Sequence, residues 1–204
     1  MKIADVTLPF CYKGERMYVH GSDIYNHVNE YVTTSLGLTG IENIDVSFHK
    51  IATRSLKLSV YKGKSPQKNE LTTGTFKFQS DDEGYTIFMV ESNKEIDCRY
   101  PYSEHDIVDQ SELCIEQKQI QLDSATPYTD IEVIIAMNKG LLQALYPDVK
   151  GKWYLARYQS KCYTAQSSYK RITVALKHNF NFKLTKSQVA IDGNPVGAIY
   201  FSMT

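Results

Sequence analysis

Apolar and polar residues alternate over several short stretches in both halves of the chain. In the first half the alternation includes Leu56, Leu58 and Val60. In the second half a similar stretch begins with Ile172 and Val174. Alternation with a period of two is typical of strands that bury one face. The pattern therefore predicts a core that is rich in sheet.

The same alternation predicts further strands along the chain. They are expected at residues 3–8, 44–48, 76–78, 87–89, 114–122, 154–159, 180–184, 189–191 and 198–201. In this interpretation residues 114–122 form a single strand ahead of the second helix. Phe180, Phe182 and Leu184 are likewise expected to lie together in one strand.

Two helical patterns interrupt these strands. The first runs from Ser22 to about Leu36, with Gly37 placed as its C-cap. The second is apolar on nearly every side as far as Leu145, which predicts a helix surrounded by protein.

The second helix also carries sequence signals at both of its ends. Thr129 and Glu132 have the spacing of a capping box, in which a hydroxyl and a carboxylate satisfy free N–H groups. Pro147 is expected to end the helix.

The two halves repeat one order of elements. Each reads as β-α-β-β-β, and in each a hydroxyl residue precedes an Asp-Ile pair at the start of the helix, at Asp23 and at Asp130. This repeat predicts one unit over residues 1–95, a polar connector over 96–112 and a second unit over 113–204.

A buried central helix followed by an antiparallel sheet that curls around it resembles the hotdog fold. The sharpest local resemblance is the hairpin at residues 188–201, whose Asp192-Gly193 turn suits the positive φ that a tight hairpin needs. Residues 81–84 give a looser version, and residues 46–51 look like the run into the family's third strand. The predicted fold class is α+β: two tandem hotdog units, each an antiparallel sheet wrapped around a central helix.

The resemblance implies a protein that processes acyl thioesters of CoA or of acyl carrier protein. Thioester hydrolysis is preferred to 3-hydroxyacyl dehydration, because the Gly-His-Phe-Pro string of the dehydratases is absent. The alternative is a non-catalytic hotdog protein that binds an acyl group or a protein partner. Two fused units are expected to imitate the usual hotdog dimer, and homo-oligomers are expected to form through the sheets.

Four residues are candidates for catalysis on the strength of this resemblance, which places active sites near the start of the central helix. His20 and Asp23 lie where the first helix begins, and His27 lies one turn further on. Asn138 lies on the apolar side of the second helix, so it is expected to be buried with a bonded amide. The resemblance implies that His20 and Asn138 face one substrate.

Each candidate also has a structural explanation. For His20 the preferred explanation is a polar residue at a strand end, and Asp23 suits the positive end of the helix dipole. His27 fits a solvated position. Asn138 fits a hydrogen bond to a neighbouring strand.

Composition limits the remaining possibilities. Lys+Arg and Asp+Glu both number 23, and a balanced charge argues against nucleic acid as the partner. The four cysteines show no metal-ligand spacing, and no motif for a cofactor is present. Neither a signal peptide nor a membrane span is predicted. We therefore expect a cytoplasmic protein with reduced cysteines and with neither metal nor cofactor.

Overall fold

Antiparallel strands and one long helix make up each of two units in the computed structural model, which describes residues 1–163 and 169–204. Unit 1 comprises Met1–Tyr102 together with Lys161–Tyr163. Unit 2 comprises Ser103–Ser160 and the described residues from 169 onward. The expected α+β class is confirmed.

Unit 1 contains one helix and seven strands among its described residues. In chain order they are β1 (Lys2–Leu8), β2 (Tyr12–Lys13), α1 (Gly21–Glu30), β3 (Glu42–Phe48), β4 (Leu56–Lys62), β5 (Thr72–Ser80), β6 (Glu83–Glu91) and β7 (Arg99–Tyr100). A π-helical turn over Tyr31–Ser35 continues α1. Five strands form an antiparallel sheet in the order β1-β4-β6-β5-β3, and β2 pairs in parallel with β7.

The core of unit 1 follows from the alternation in its strands. Leu56, Leu58 and Val60 on β4 are all fully buried, as their spacing predicts. On α1, Tyr25 packs its ring 5.8 Å from that of Phe76 on β5, so the apolar face of the helix lies against the sheet.

The described residues of unit 2 form a short helix, the long helix and six strands. In chain order they are α2 (His105–Val108), β8 (Glu112–Cys114), β9 (Gln119–Leu122), α3 (Asp130–Leu145), β10 (Trp153–Cys162), β11 (Ile172–Phe180), β12 (Leu184–Ile191) and β13 (Asn194–Met203). Within the unit the strands follow the order β10-β13-β12-β11-β9-β8. Helix α3 packs against β9, β11 and β13.

Helix α3 has the ends and the burial that its sequence predicts. The capping box is confirmed: Thr129 accepts from the N3 backbone, and its own N–H donates to Glu132 at 2.8 Å. The helix ends at Leu145, two residues before Pro147. Ten of its residues are buried, which leaves only a narrow polar stripe.

The strand predictions need two corrections. Residues 114–122 are not one strand, because Lys118 takes a positive φ of 52° in a turn between β8 and β9. Residues 180–184 are not one strand either, since Asn181 and Phe182 turn the chain between β11 and β12 with φ of 50° and 60°. The Asp192-Gly193 turn is confirmed, with φ of 49° and 79° between β12 and β13.

The expectation of four reduced cysteines is wrong for Cys11 and Cys98. They form a disulfide with their Cα atoms 4.8 Å apart, although they are separated by 87 residues in sequence. Their spacing gave no sign of this pairing, because it depends on the folded path of the chain. Cys114 is a free thiol.

No helix within residues 1–163 or 169–204 is long and apolar enough to cross a membrane. The same described residues contain no group of three or more His, Cys, Asp and Glu side chains arranged to hold a metal ion.

Candidate active site

A fully buried lysine lies at the centre of a polar cluster beside the start of α1. Lys13, on the two-residue strand β2, has 0% of its surface exposed. Its ammonium lies 3.0 Å from an oxygen of Asp23 and 3.1 Å from the hydroxyl of Ser22. A buried ammonium needs such partners, because an uncompensated charge costs several kcal/mol.

Ser22 joins the lysine, the aspartate and a histidine. It is fully buried, and its hydroxyl lies 2.7 Å from Nδ1 of His20 and 3.1 Å from Oδ1 of Asp23. A hydroxyl has one proton and two lone pairs. The Asp23 carboxylate can only accept, so it takes the proton of Ser22, and the ammonium of Lys13 occupies one lone pair.

This arrangement fixes the tautomer of His20. The one remaining lone pair of Ser22 faces Nδ1 of His20, so that nitrogen must carry a proton and donate it. In the neutral imidazole the basic lone pair is then on Nε2.

Two tyrosines close the cluster from the segment that follows β6. The hydroxyl of Tyr100, on β7, donates to Oδ2 of Asp23 at 2.7 Å. The ring of Tyr102 lies 4.2 Å from the Lys13 ammonium and 6.1 Å from the His20 ring. A cation over a tyrosine face is stabilised by the ring quadrupole.

Asp23 is fully engaged by these contacts. It is 6% exposed, and its two oxygens accept from Lys13, Ser22 and Tyr100. Its place in the first turn of α1 also favours the negative charge. The arrangement suits a carboxylate that orients its neighbours rather than one that exchanges protons with a substrate.

His27 lies one turn later and contacts a different part of unit 1. Its ring centroid is 5.0 Å from that of Phe10, and its buried Nδ1 has no hydrogen-bond partner among the described residues. The side chain lines a cleft of about 320 Å³ with Glu30, Tyr31 and Ser35 among others.

Asn138 is buried in the middle of α3, in unit 2. It has 0% exposure, and neither its amide oxygen nor its amide nitrogen has a hydrogen-bond partner within the described part of the chain. The expected burial is confirmed. The amide is expected to bond to protein, water or a ligand, and no group in the described part of the chain bonds it. A buried amide without partners costs about 1–3 kcal/mol, so the position is unfavourable for stability.

The structure groups the sequence candidates in a simple way. His20 and Asp23 meet through Ser22, whereas His27 faces its own cleft and Asn138 belongs to the other unit. Sequence reasoning missed Lys13 and Tyr100. The one available signal is the aromatic Arg-Tyr-Pro-Tyr run at residues 99–102, which the sequence interpretation assigns to the polar connector over residues 96–112.

Comparisons with known proteins identify the fold. No family model matches the chain, and no curated protein matches its sequence. Among solved structures, the dehydratase domain of PpsC from Mycobacterium tuberculosis, in complex with C12:1-CoA, is similar with a TM-score of 0.52. It is 8% identical, over 98% of this chain and 92% of that one.

Two further solved structures are similar to about the same extent. The tesB protein of Mycobacterium avium subs paratuberculosis gives a TM-score of 0.52 at 10% identity, over 98% of this chain and 93% of that one. The 12:0-ACP thioesterase from Umbellularia californica gives 0.50 at 8% identity, over 98% and 96%. The chain therefore has the hotdog fold, as its sequence predicts.

Proposed function

We propose that this protein acts on acyl thioesters of CoA or of acyl carrier protein, with hydrolysis preferred to 3-hydroxyacyl dehydration. The observation that carries the proposal is the polar cluster at the start of α1, which holds the basic lone pair of His20 on Nε2. The fold supports it as well, since structures with this fold include a dehydratase domain bound to C12:1-CoA and a 12:0-ACP thioesterase.

In thioester hydrolysis, His20 acts first as a general base and then as a general acid. Nε2 takes a proton from water as the water attacks the thioester carbonyl, and returns it to the departing thiolate as the C–S bond breaks. The imidazolium that forms in between donates from Nδ1 to Ser22, whose hydroxyl donates in turn to Asp23. In this scheme Asp23 is a positioning residue, and Lys13 balances its charge.

Asn138 is assigned to polar recognition. An amide that is buried without partners can donate to a carbonyl oxygen and accept from an amide or hydroxyl group. An acyl thioester offers such a carbonyl, and a pantetheine arm offers amides. Binding such a group would offset the cost of burying Asn138.

His27 has a separate place in the proposal. It lines its own cleft and has no link to the His20 cluster through the hydrogen bonds described above. We propose that His27 contacts a polar group of a ligand in that cleft and takes no part in proton transfer.

A binding function without catalysis is the second candidate, and the burial of the cluster favours it, because His20 is 5% exposed and Lys13, Ser22 and Asp23 are buried beside it. The engagement of Asp23 separately argues against dehydration. Dehydration needs an acid as well as a base, and a carboxylate whose oxygens accept from Lys13, Ser22 and Tyr100 is poorly placed to supply the acid. A non-catalytic protein would keep this cluster for stability alone.

The test is a panel of acyl-CoA and 3-hydroxyacyl thioesters, assayed separately for thiol release and for enoyl formation. We expect thiol release, reduced by about 10²–10⁴-fold in His20→Gln, the range typical of general base catalysis. His178→Gln is the matched control, because His178 is exposed on β11.

Thiol release unaffected by His20→Gln excludes the catalytic role. Tight binding of a non-hydrolysable acyl-CoA without turnover establishes the second candidate.

The remaining partner and location assignments are part of the same proposal. The balanced charge argues against nucleic acid, and association through the sheets is tested by sedimentation. A cytoplasmic location is compatible with the Cys11–Cys98 bond only if that bond is of the transient, redox-responsive kind, because lasting disulfides belong to oxidising compartments.

A further inference from the structure

The cleft beside His27 has one apolar side and one polar side. Leu8, at the end of β1, and Pro9 form the apolar side. The polar side comes from α1 and the π-helical turn that continues it, and consists of His27, Glu30 and hydroxyl residues of the turn. Its volume of about 320 Å³ has room for about ten water molecules. Sites for small organic molecules begin at about this size.

The electrostatics of the cleft favour a cation. Glu30 contributes a carboxylate, and none of the described residues that line the cleft is a lysine or an arginine. Glu30 is exposed and forms no ion pair within residues 1–163 and 169–204. The cleft also lies beside the last turn of the helical segment, where the backbone dipole is negative. These features disfavour an anion, so the phosphates of CoA do not suit this cleft.

The polar side of the cleft is also rich in hydrogen-bond acceptors. An ionised carboxylate such as that of Glu30 accepts and cannot donate. The Thr34 hydroxyl donates its proton to the Glu30 carbonyl at 2.6 Å, so only its lone pairs remain for a ligand. A neutral imidazole at His27 adds one accepting nitrogen. A complementary ligand therefore brings several N–H donors together with positive charge.

A bare metal ion does not meet this description. The described residues contain no group of three or more His, Cys, Asp and Glu side chains arranged around one point, and this cleft has only His27 and Glu30 of that kind. Metal sites in proteins need about four to eight ligands at short distances. The apolar side formed by Leu8 and Pro9 would also have no role in binding a metal.

We propose that this cleft binds a small organic ammonium, a protonated primary amine on a short apolar chain. The ammonium has three N–H donors and no acceptor, which matches the carboxylate of Glu30 and the lone pairs around it. The chain lies against Leu8 and Pro9, where burial of apolar surface adds to the affinity. The inference gives a ligand class to the cleft in which the proposed function places His27, and it does not depend on thioester turnover.

Three probes of one chain length isolate the head group. The full chain, with ¹⁵N-labelled imidazoles, is titrated with n-butylammonium, n-butanol and n-butyrate, and the His27 signal is assigned by its loss in His27→Gln. We expect a saturable shift with butylammonium alone, with a Kd on the order of 1 mM for so few atoms. The signal of His178, which lies in unit 2, is the internal control and should not move.

A matched pair of variants tests the carboxylate. Glu30→Gln should bind butylammonium about 5-fold more weakly, the upper end for a solvent-exposed ion pair. Glu42→Gln changes the net charge equally, but Glu42 lies on β3 and does not line the cleft, so its affinity should match the wild type. Added salt should weaken binding to the wild type, because it screens exposed charges. Circular dichroism checks that both variants fold.

A lysine side chain carries the same head group, so N-acetyl-lysine methylamide is a further probe. Weaker binding of this probe than of butylammonium supports a free small molecule. Tighter binding overturns that assignment and gives the cleft to a lysine of a protein partner.

The comparison of head groups in the wild-type protein decides the proposal even if a variant fails to fold. A His27 signal that butylammonium does not shift overturns it, and so does butanol or butyrate that binds as tightly as butylammonium. Equal affinities of Glu30→Gln and Glu42→Gln also contradict it. Selective binding of butylammonium by a protein that turns over no thioester supports the ammonium site and rejects the proposed hydrolysis.

Discussion

The hydroxyl of Tyr100 donates to Oδ2 of Asp23 at 2.7 Å, whereas the Lys13 ammonium contacts the other oxygen, Oδ1, at 3.0 Å. Tyr100 comes from the segment after the last strand of the first sheet, and Asp23 from the first turn of α1. This one hydrogen bond therefore joins the two stretches of chain that enclose the cluster.

Asp23→Asn is expected to destabilise the protein strongly. The substitution leaves the Lys13 ammonium buried without its counter-charge, and breaking a buried ion pair in this way costs about 3–5 kcal/mol. Urea unfolding measures the loss. Asp123→Asn is the control, because the Asp123–Arg171 pair is half exposed and its removal should leave the midpoint close to that of the wild type. An equal effect of the two substitutions contradicts the view that Lys13 depends on Asp23.

Asn138→Leu is expected to preserve stability and to impair binding of the acyl group. Because the amide has no protein partner in the described chain, removing it relieves a desolvation cost of about 1–3 kcal/mol, offset in part by the different shape of leucine. Thermal unfolding and the KM for an acyl-CoA are measured together.

The matched control for Asn138 is another buried helical asparagine. Asn29 on α1 is also fully buried, but its amide donates to the Tyr25 carbonyl at 2.7 Å. Asn29→Leu should therefore lower stability by about 1 kcal/mol. A stable Asn138→Leu protein with unchanged KM removes Asn138 from substrate recognition.

The Asp5 carboxylate stabilises the folded protein by an amount that depends on pH. A hydrogen bond from Ser59, together with contacts to Lys2 and Lys57, lowers the pKa of Asp5 from 3.8 to about 2, against the opposing effect of burial. Since the pKa is lower in the folded state, the contribution is complete above pH 3.8 and is lost as the pH falls through 2.

The Asp5 prediction is tested by comparing wild type with Asp5→Asn across this range. The difference in unfolding free energy should be less than about 1 kcal/mol at pH 6, because the pair is partly exposed. It should shrink between pH 4 and pH 2. A difference that is constant over that range shows that the Asp5 carboxylate is not preferentially stabilised in the folded state.

Gly197→Ala is expected to damage the sheet of unit 2. A Cβ at this position on β13 would lie 2.0 Å from the backbone carbonyl oxygen of Gln159 on β10, and backbone cannot move aside cheaply. We expect a loss of about 1–3 kcal/mol, as for other overpacked sites. Gly84→Ala on β6 is the control, because nothing lies within 4 Å of its Cβ position. Equal stability of the two variants contradicts the predicted clash.

Local signals made much of the fold predictable. The capping box of Thr129 with Glu132 and the Asp192-Gly193 turn each depend on a few adjacent residues, so the sequence alone determines them. The single strand over residues 180–184 was predicted wrongly because the local pattern there was misleading. Apolar Phe182 continued the alternation, although its backbone has the positive φ of a turn.

The candidate site was only half predictable. His20 and Asp23 lie beside the start of a helix, which the sequence indicates. Nothing in the sequence distinguishes Lys13 from a surface lysine, although in the fold it is buried and contacts Asp23. In the fold, Lys13 lies beside Asp23 and near the rings of Tyr100 and Tyr102, which come from distant parts of the chain. Such contacts leave no periodic trace in a single sequence.

The Cys11–Cys98 bond also changes what a proteolytic cut does to the chain. The two cysteines enclose nearly all of the first sheet in one covalent loop, and the exposed segment around Lys68, within that loop, is accessible to trypsin. A chain cut there keeps both fragments joined, so it runs as one band on a denaturing gel without reductant and as two bands with it. Strands β4 and β5, on either side of the cut, stay tethered through the distant sulfurs, which keeps the broken ends close enough for the sheet to re-form.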